Sequence, residues 1–256
     1  MKRIAGLILI ILLLCMPFKA DAQKWKLRRY EANLGVALNN FYGDVGRPIP
    51  PGVFLGSLAT VKAFDTRPSI NFGVRYKLNG AMSLKMDLFY GVISGKDGGD
   101  LKERGYSFSS TIFEPAFKFE YYLIPEGRAV STAALFSRIG MANSYAKINI
   151  YLFGGAGGAI TTPKGFNGLE DRAEFQNLTN FGLVFPFGIG GKYAIDALWS
   201  IGFEYGRRYT LTDKIDGFES AFSSSNDMYE IASFSAIYKI KTDRRGRPVL
   251  RYGIRR

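Results

Sequence analysis

The residues most able to do chemistry are charged and regularly spaced. Glu31, Asp87, Glu114, Glu120 and Glu204, with Arg75, Lys77, Lys85, Lys118 and Lys192, fill polar positions in runs where every second residue is apolar. Opposite charges on one face of adjoining strands can close an ion-pair network, and a carboxylate among them could exchange protons. Acid–base catalysis near neutral pH usually draws on histidine, and the chain contains none. Its single cysteine, Cys15, follows Leu14, where a lipidation site wants a small residue.

Other candidates reduce to simpler readings. Gly154-Gly155-Ala156-Gly157-Gly158 has the look of a phosphate loop, yet no Gly-Lys-Ser/Thr follows, so packing glycines in a wall account for it better. Asp97, Asp100, Asp213, Asp216 and Glu219 fall in stretches read as connections, without the spacing of a calcium loop; solvated charge is the simpler reading. No catalytic, cofactor or metal-binding residue is assigned. The end of the chain is different: Lys241, Arg244, Arg245, Arg247, Arg251, Arg255 and Arg256 stand against Asp243 alone, a net of +6. Arginine forks pair with carboxylate or phosphate, which makes this tail a candidate for binding an acidic partner, against the plainer reading of a solvated end.

The elements that must position these groups show a period of two. Tyr30, Ala32, Leu34, Val36 and Leu38 alternate with polar residues, and Ile70–Leu78 and Met82–Tyr90 do the same on either side of Asn79-Gly80, a hairpin signal. A fourth run carries Phe113, Phe117, Phe119 and Tyr121. A fifth spans Lys147 to Ile160 and is blurred by glycine. Phe181–Tyr193 and Trp199–Tyr205 flank a tight link at Asp196-Ala197, and Tyr229–Ile240 completes the set. Pro115 and Pro186 lack a ladder N–H and are read as bulges near the rims.

Eight such strands predict an all-β, eight-stranded antiparallel transmembrane β-barrel; with an extra hairpin within 124–146 and a further strand over Val53–Phe64 as other readings, ten strands remain open. A short helix over Ala129–Phe136 is the other reading of the second stretch. The apolar faces are too large and aromatic to fill so small a barrel, so they should meet lipid. The opposite faces mix charge with glycine, which suits a narrow lumen closed by ion pairs. Long connections at 40–67, 94–105, 161–179 and 211–227 alternate with short ones, as in barrels with long outside loops and short periplasmic turns, except at 124–146, a longer stretch expected on the periplasmic side.

The N-terminal segment supports export. Lys2 and Arg3, an apolar stretch from Ile4 to Met16 that falls short of the ~20 residues of a spanning helix, and Ala20-Asp21-Ala22 read as a signal peptide over residues 1–22. The barrel then occupies 23–240 and the basic tail 241–256. The formal net charge is +12, and since the leader holds Lys2, Arg3 and Lys19 against Asp21, +10 stays with the mature part. Export removes nucleic acid as a partner, leaving the bilayer and acidic envelope components.

Tyr30-Glu31 through Gly35 with Asn40-Phe41-Tyr42-Gly43-Asp44, then Arg104-Gly105-Tyr106-Ser107-Phe108, Tyr151-Leu152-Phe153-Gly154-Gly155, Phe185-Pro186-Phe187-Gly188-Ile189-Gly190, and Gly202–Arg207 leading to Thr210–Asp213, occur in this order. Together they resemble PorG-like outer-membrane proteins of the type IX secretion system. That resemblance implies a barrel beside a periplasmic ring complex, which the tail could contact, and it brings no catalytic residues. Lys214-Ile215-Asp216-Gly217 departs from the family pattern, and Val130–Ala146 looks like an insertion. The expected function is thus a non-enzymatic, structural or interaction component of an envelope assembly; a passive channel or small-molecule carrier is the alternative.

Overall fold

A computed structural model describes residues 28–45, 67–97, 103–124, 148–218, 226–243 and 247–249. Eight strands follow one another around a closed, wholly antiparallel barrel: β1 (Tyr30–Tyr42), β2 (Arg67–Lys77), β3 (Met82–Lys96), β4 (Ser107–Ile124), β5 (Ile148–Phe166), β6 (Asn180–Ala194), β7 (Trp199–Thr210) and β8 (Met228–Ile240). The ring closes between β1 and β8, from Tyr30↔Ile240 to Tyr42↔Met228. The readings of 53–64 and 129–136 lie outside the described residues.

The barrel is turned inside out relative to a soluble one. Leu34 is 63% exposed and Phe117 70%, whereas Arg75, Lys85 and Lys118 are each 1% exposed. Apolar side chains can face outward in this way only where the surroundings are themselves apolar. Near the short-turn end, Tyr30 packs on Tyr76 at 5.1 Å and Trp199 on Tyr238 at 5.0 Å. Such amphipathic rings suit the boundary between hydrocarbon and water.

Two connections are fully described at that end, and each spans four residues rather than two. In residues 78–81 the amides of Leu78 and Asn79 donate to the Met82 carbonyl, and Asn79 Oδ1 accepts from the Ala81 amide at 2.8 Å. Neither Asn79 nor Gly80 has positive φ, so the two-residue mirror turn suggested by Asn-Gly does not form. Asp196 repeats the device, accepting from the amides of Leu198 and Trp199 at 2.6 and 2.7 Å. Those two bonds hold its carboxyl below the usual carboxylate range.

Pro115 and Pro186 are not rim bulges. The β4–β5 pairing passes from Phe113↔Ile160 to Ala116↔Gly157, and the β5–β6 pairing from Gly154↔Phe187 to Gly157↔Val184, without a change of register. Each ladder simply misses two rungs. The register shift between β4 and β5 falls instead at Tyr122/Ile124. At the start of the basic tail, Thr242 bridges Pro248, and the Arg247 amide donates to Asp243 Oδ1 at 2.8 Å.

Candidate functional site

Because side chains two apart share a face, the pairs Arg75/Lys77, Lys85/Asp87 and Lys118/Glu120 all point into the lumen. Glu31 of β1, Lys192 of β6 and Glu204 of β7 join them in the half of the barrel nearer the short turns. Arg75 is the centre of this layer. Its guanidinium takes Glu120 with two prongs at 2.6 and 2.8 Å, donates to Glu31 at 2.8 Å and reaches Glu204 at 3.4 Å.

Each remaining charge has a partner. Lys77 and Lys192 lie 2.7 and 3.0 Å from Glu31. Lys85 donates to Glu204 at 2.7 Å and lies 3.3 Å from Asp87, whose other oxygen accepts from Lys118 at 2.5 Å. Two tyrosines complete the layer: Tyr151 donates to Glu204 at 2.7 Å and Tyr122 to Glu120 at 2.9 Å. Glycine makes the room for them. A Cβ on Gly190 would stand 2.3 Å from the Tyr151 ring, and one on Gly188 2.5 Å from Phe153.

Glu114, grouped with these residues by sequence, stands apart. It accepts from Tyr229 at 2.6 Å and faces Arg208 at 3.7 Å, nearer the long loops. Beyond it the lumen turns apolar: Phe41, Phe89, Ile93, Phe108 and Ile112 from the strands meet Val45, Leu169, Ile215 and Phe218 from the connections in one buried cluster. The interior therefore has a charged half and an apolar half.

Sequence reasoning missed Tyr122 and Tyr151 as lumen residues. It also missed an ion pair on the outer phase of the wall, where Arg207 donates to Glu230 at 2.7 Å and Tyr42 to the same carboxylate at 3.2 Å. No periodic signal marks a pair joined across strands, although the alternation places Arg207 and Glu230 on the outer phase.

Of the connection carboxylates read as solvated, Asp97 and Asp216 are buried. Asp97 accepts two bonds from Arg104, at 2.7 and 2.9 Å, and that pairing raises the arginine further above its ordinary range. Arg104 also donates to the Asp44 carbonyl at 2.6 Å, and its guanidinium lies over the rings of Tyr106 and Phe218. Asp100 and Glu219 lie outside the described residues, as do Arg244, Arg245, Arg251, Arg255 and Arg256 of the tail. Arg247 is described and exposed. Among the described residues no group of histidine, cysteine or acidic side chains is placed to hold a metal ion.

Comparison with solved structures finds small barrels of the same kind at low identity. Ail of Yersinia pestis, solved with the heparin analogue sucrose octasulfate, shares 10% identity over 82% of this chain and 97% of its own, with a TM-score of 0.43. Neisserial surface protein A gives 10% over 82% and 96% at 0.44, and OprG of Pseudomonas aeruginosa 12% over 87% and 100% at 0.43. Curated proteins give no match. The family model described as "Outer membrane protein beta-barrel domain" matches residues 6–236. With lipid-facing strands, a packed lumen and a match over most of its length, the chain belongs to this outer-membrane β-barrel family and resides in the outer membrane.

Proposed function

We propose that this chain is a plugged, non-enzymatic outer-membrane barrel that serves an envelope assembly as a structural and interaction component. The observation that carries the reading is the filled lumen: ion pairs occupy one half and aromatic and aliphatic side chains the other. A conducting pore needs a continuous wet path, which such filling opposes. Exported behind residues 1–22, the barrel sits with its four-residue turns in the periplasm and its long connections outside.

Reconstituted into planar bilayers, the purified protein should show no steady open-channel current. A stable conductance of porin size would favour the passive channel instead.

The basic tail then leaves the barrel on the periplasmic side. Its arginines suit an acidic partner, and the resemblance to PorG-like proteins makes the ring complex of a type IX secretion apparatus the partner to test. Truncation after Ile240 should leave the barrel inserted while cross-linked recovery of ring-complex proteins falls, with moderate salt weakening the intact complex in the same way. Unchanged recovery after truncation would make the tail a solvated end.

A further inference from the structure

At the loop end, two buried carboxylates hold the backbone of the residues that cap the apolar half of the lumen. Asp216 Oδ2 accepts from the Val45 amide at 3.1 Å, tying residues 43–45 to the β7–β8 connection, and its Oδ1 accepts from the Phe218 amide at 2.9 Å. Asp227 Oδ2 accepts from the Ile215 amide at 2.8 Å. Val45, Ile215 and Phe218 are all members of the buried apolar cluster. Each carboxylate thus holds the main chain of residues whose side chains close the plug.

The setting is poor for negative charge. Asp216 is 0% and Asp227 1% exposed. The second oxygen of Asp227 has no hydrogen-bond partner and lies against Gly43, 2.2 Å from where a Cβ would stand. Asp44 and Asp213 add like charge from residues 43–45 and from the β7–β8 connection.

Among the described residues, the bases on the surrounding elements are engaged elsewhere. Arg104 binds Asp97 and the Asp44 carbonyl, Arg172 donates to the Tyr106 hydroxyl, and Arg207 pairs with Glu230. Lys214, beside Asp213, presents its carbonyl to Asn180 and has further interactions of its own. Tyr229, the next residue of β8 but one, donates to Glu114 in the lumen.

We propose that Asp216 and Asp227 form a proton-operated latch: protonated, they hold residues 43–45 and 211–218 against the apolar half of the lumen, and ionised, they release them. Burial pushes the Asp216 carboxyl up to about 7, against the pull of the Phe218 and Val45 amides, with repulsion from Asp44 and Asp213 adding to the rise. Asp227 is raised well above its ordinary value by burial and then by Asp216. A carboxyl raised on folding stabilises the closed form fully below its unfolded value of ~3.9. That contribution is lost as pH rises through about 7. The latch therefore holds in mild acid and weakens above neutrality.

The test is hydrogen exchange on the mature protein in lipid vesicles with EDTA present, each rate corrected for the intrinsic effect of pH. Between about pH 5.5 and 8.5, protection of peptides covering 43–45 and 211–218 should fall by at least ~10-fold, the change that one unit of linked titration supplies. Protection in β2–β4 should stay constant. The double variant D216N/D227N should keep the acid-level protection at the higher pH. A loss of protection there equal to that of the unaltered protein overturns the latch, as does pH-independent protection in the unaltered protein. Should the double variant fail to fold, D213N decides: removing one repelling charge should move the opening midpoint to higher pH, and an unmoved midpoint overturns the proposal.

Discussion

Arg75→Met should lower the stability of the folded barrel by about 3–5 kcal/mol, the range for removing one partner of a buried ion pair. Arg75 touches Glu31, Glu120 and Glu204 together. Two of those keep other cations after the change, since Glu31 still has Lys77 and Lys192 and Glu204 still has Lys85. Glu120 does not. Its other hydrogen bond comes from Tyr122, so the cost arises mainly from one carboxylate stranded in the wall. Adding Glu120→Gln should then recover more than half of the loss. Urea unfolding in vesicles measures both steps, with the band shift between unboiled and boiled samples reporting the folded fraction. A single variant within about 1 kcal/mol of the unaltered protein would refute the assignment of Arg75 as the centre of the layer.

Phe203→Arg attacks the other face. Phe203 lies outward beside Phe234, with ring centroids 4.8 Å apart, midway along β7. An arginine near the bilayer midplane costs about 2–4 kcal/mol, falling towards the interfaces. Gly202→Ser is the matched control one residue away, on the lumen side. Its new Cβ would meet Ile237 Cδ1 at 2.8 Å and Ser235 Oγ at 3.0 Å, atoms at the ends of side chains that can shift. Assembly in vesicles should fail far more often for Phe203→Arg. Equal insertion of the two variants would mean that the faces have been exchanged.

How far the fold could be read beforehand depended on which half of the lumen a residue faces. In the charged half, inward residues are mostly polar or glycine, with Phe153 and Ile237 as exceptions, and outward ones mostly apolar, so Arg75 against Val74 or Lys118 against Phe117 announces both strand and face. In the apolar half that contrast disappears or reverses. Along β4 the inward residues include Phe108 and Ile112 beside Ser110, while the outward ones include Ser109 and Thr111; from Phe113 onward the apolar parity switches. The loop-side ends of β3 and β5, residues 94–96 and 161–166, accordingly fall within the stretches that the sequence presents as connections. The same reversal hid Phe41, Phe89 and Ile93 as plug residues. Membership of the charged layer was legible from alternation, but the hub role of Arg75 was not, because it depends on strands brought together by the closure of the ring. Asp216 was misjudged for a related reason: its polarity suggested solvent, and only the packing of the β7–β8 connection against Val45 buries it.

The four missing rungs bear on how the wall carries load. Both gaps flank the glycine-rich centre of β5, where Gly155 and Gly157 sit so close to β4 that a Cβ would come within 2.1 and 2.5 Å of the carbonyls of Phe117 and Pro115. Elsewhere the ladders cross-link neighbouring strands, and stretching the ring there would break hydrogen bonds that hydrocarbon cannot replace. Around Pro115 and Pro186 those bonds are already absent, and cohesion rests on contact between surfaces. The barrel is therefore unevenly stiff around its circumference, and lateral pressure from the bilayer should be taken up first along β5, as a crease, while the remainder of the ring keeps its shape.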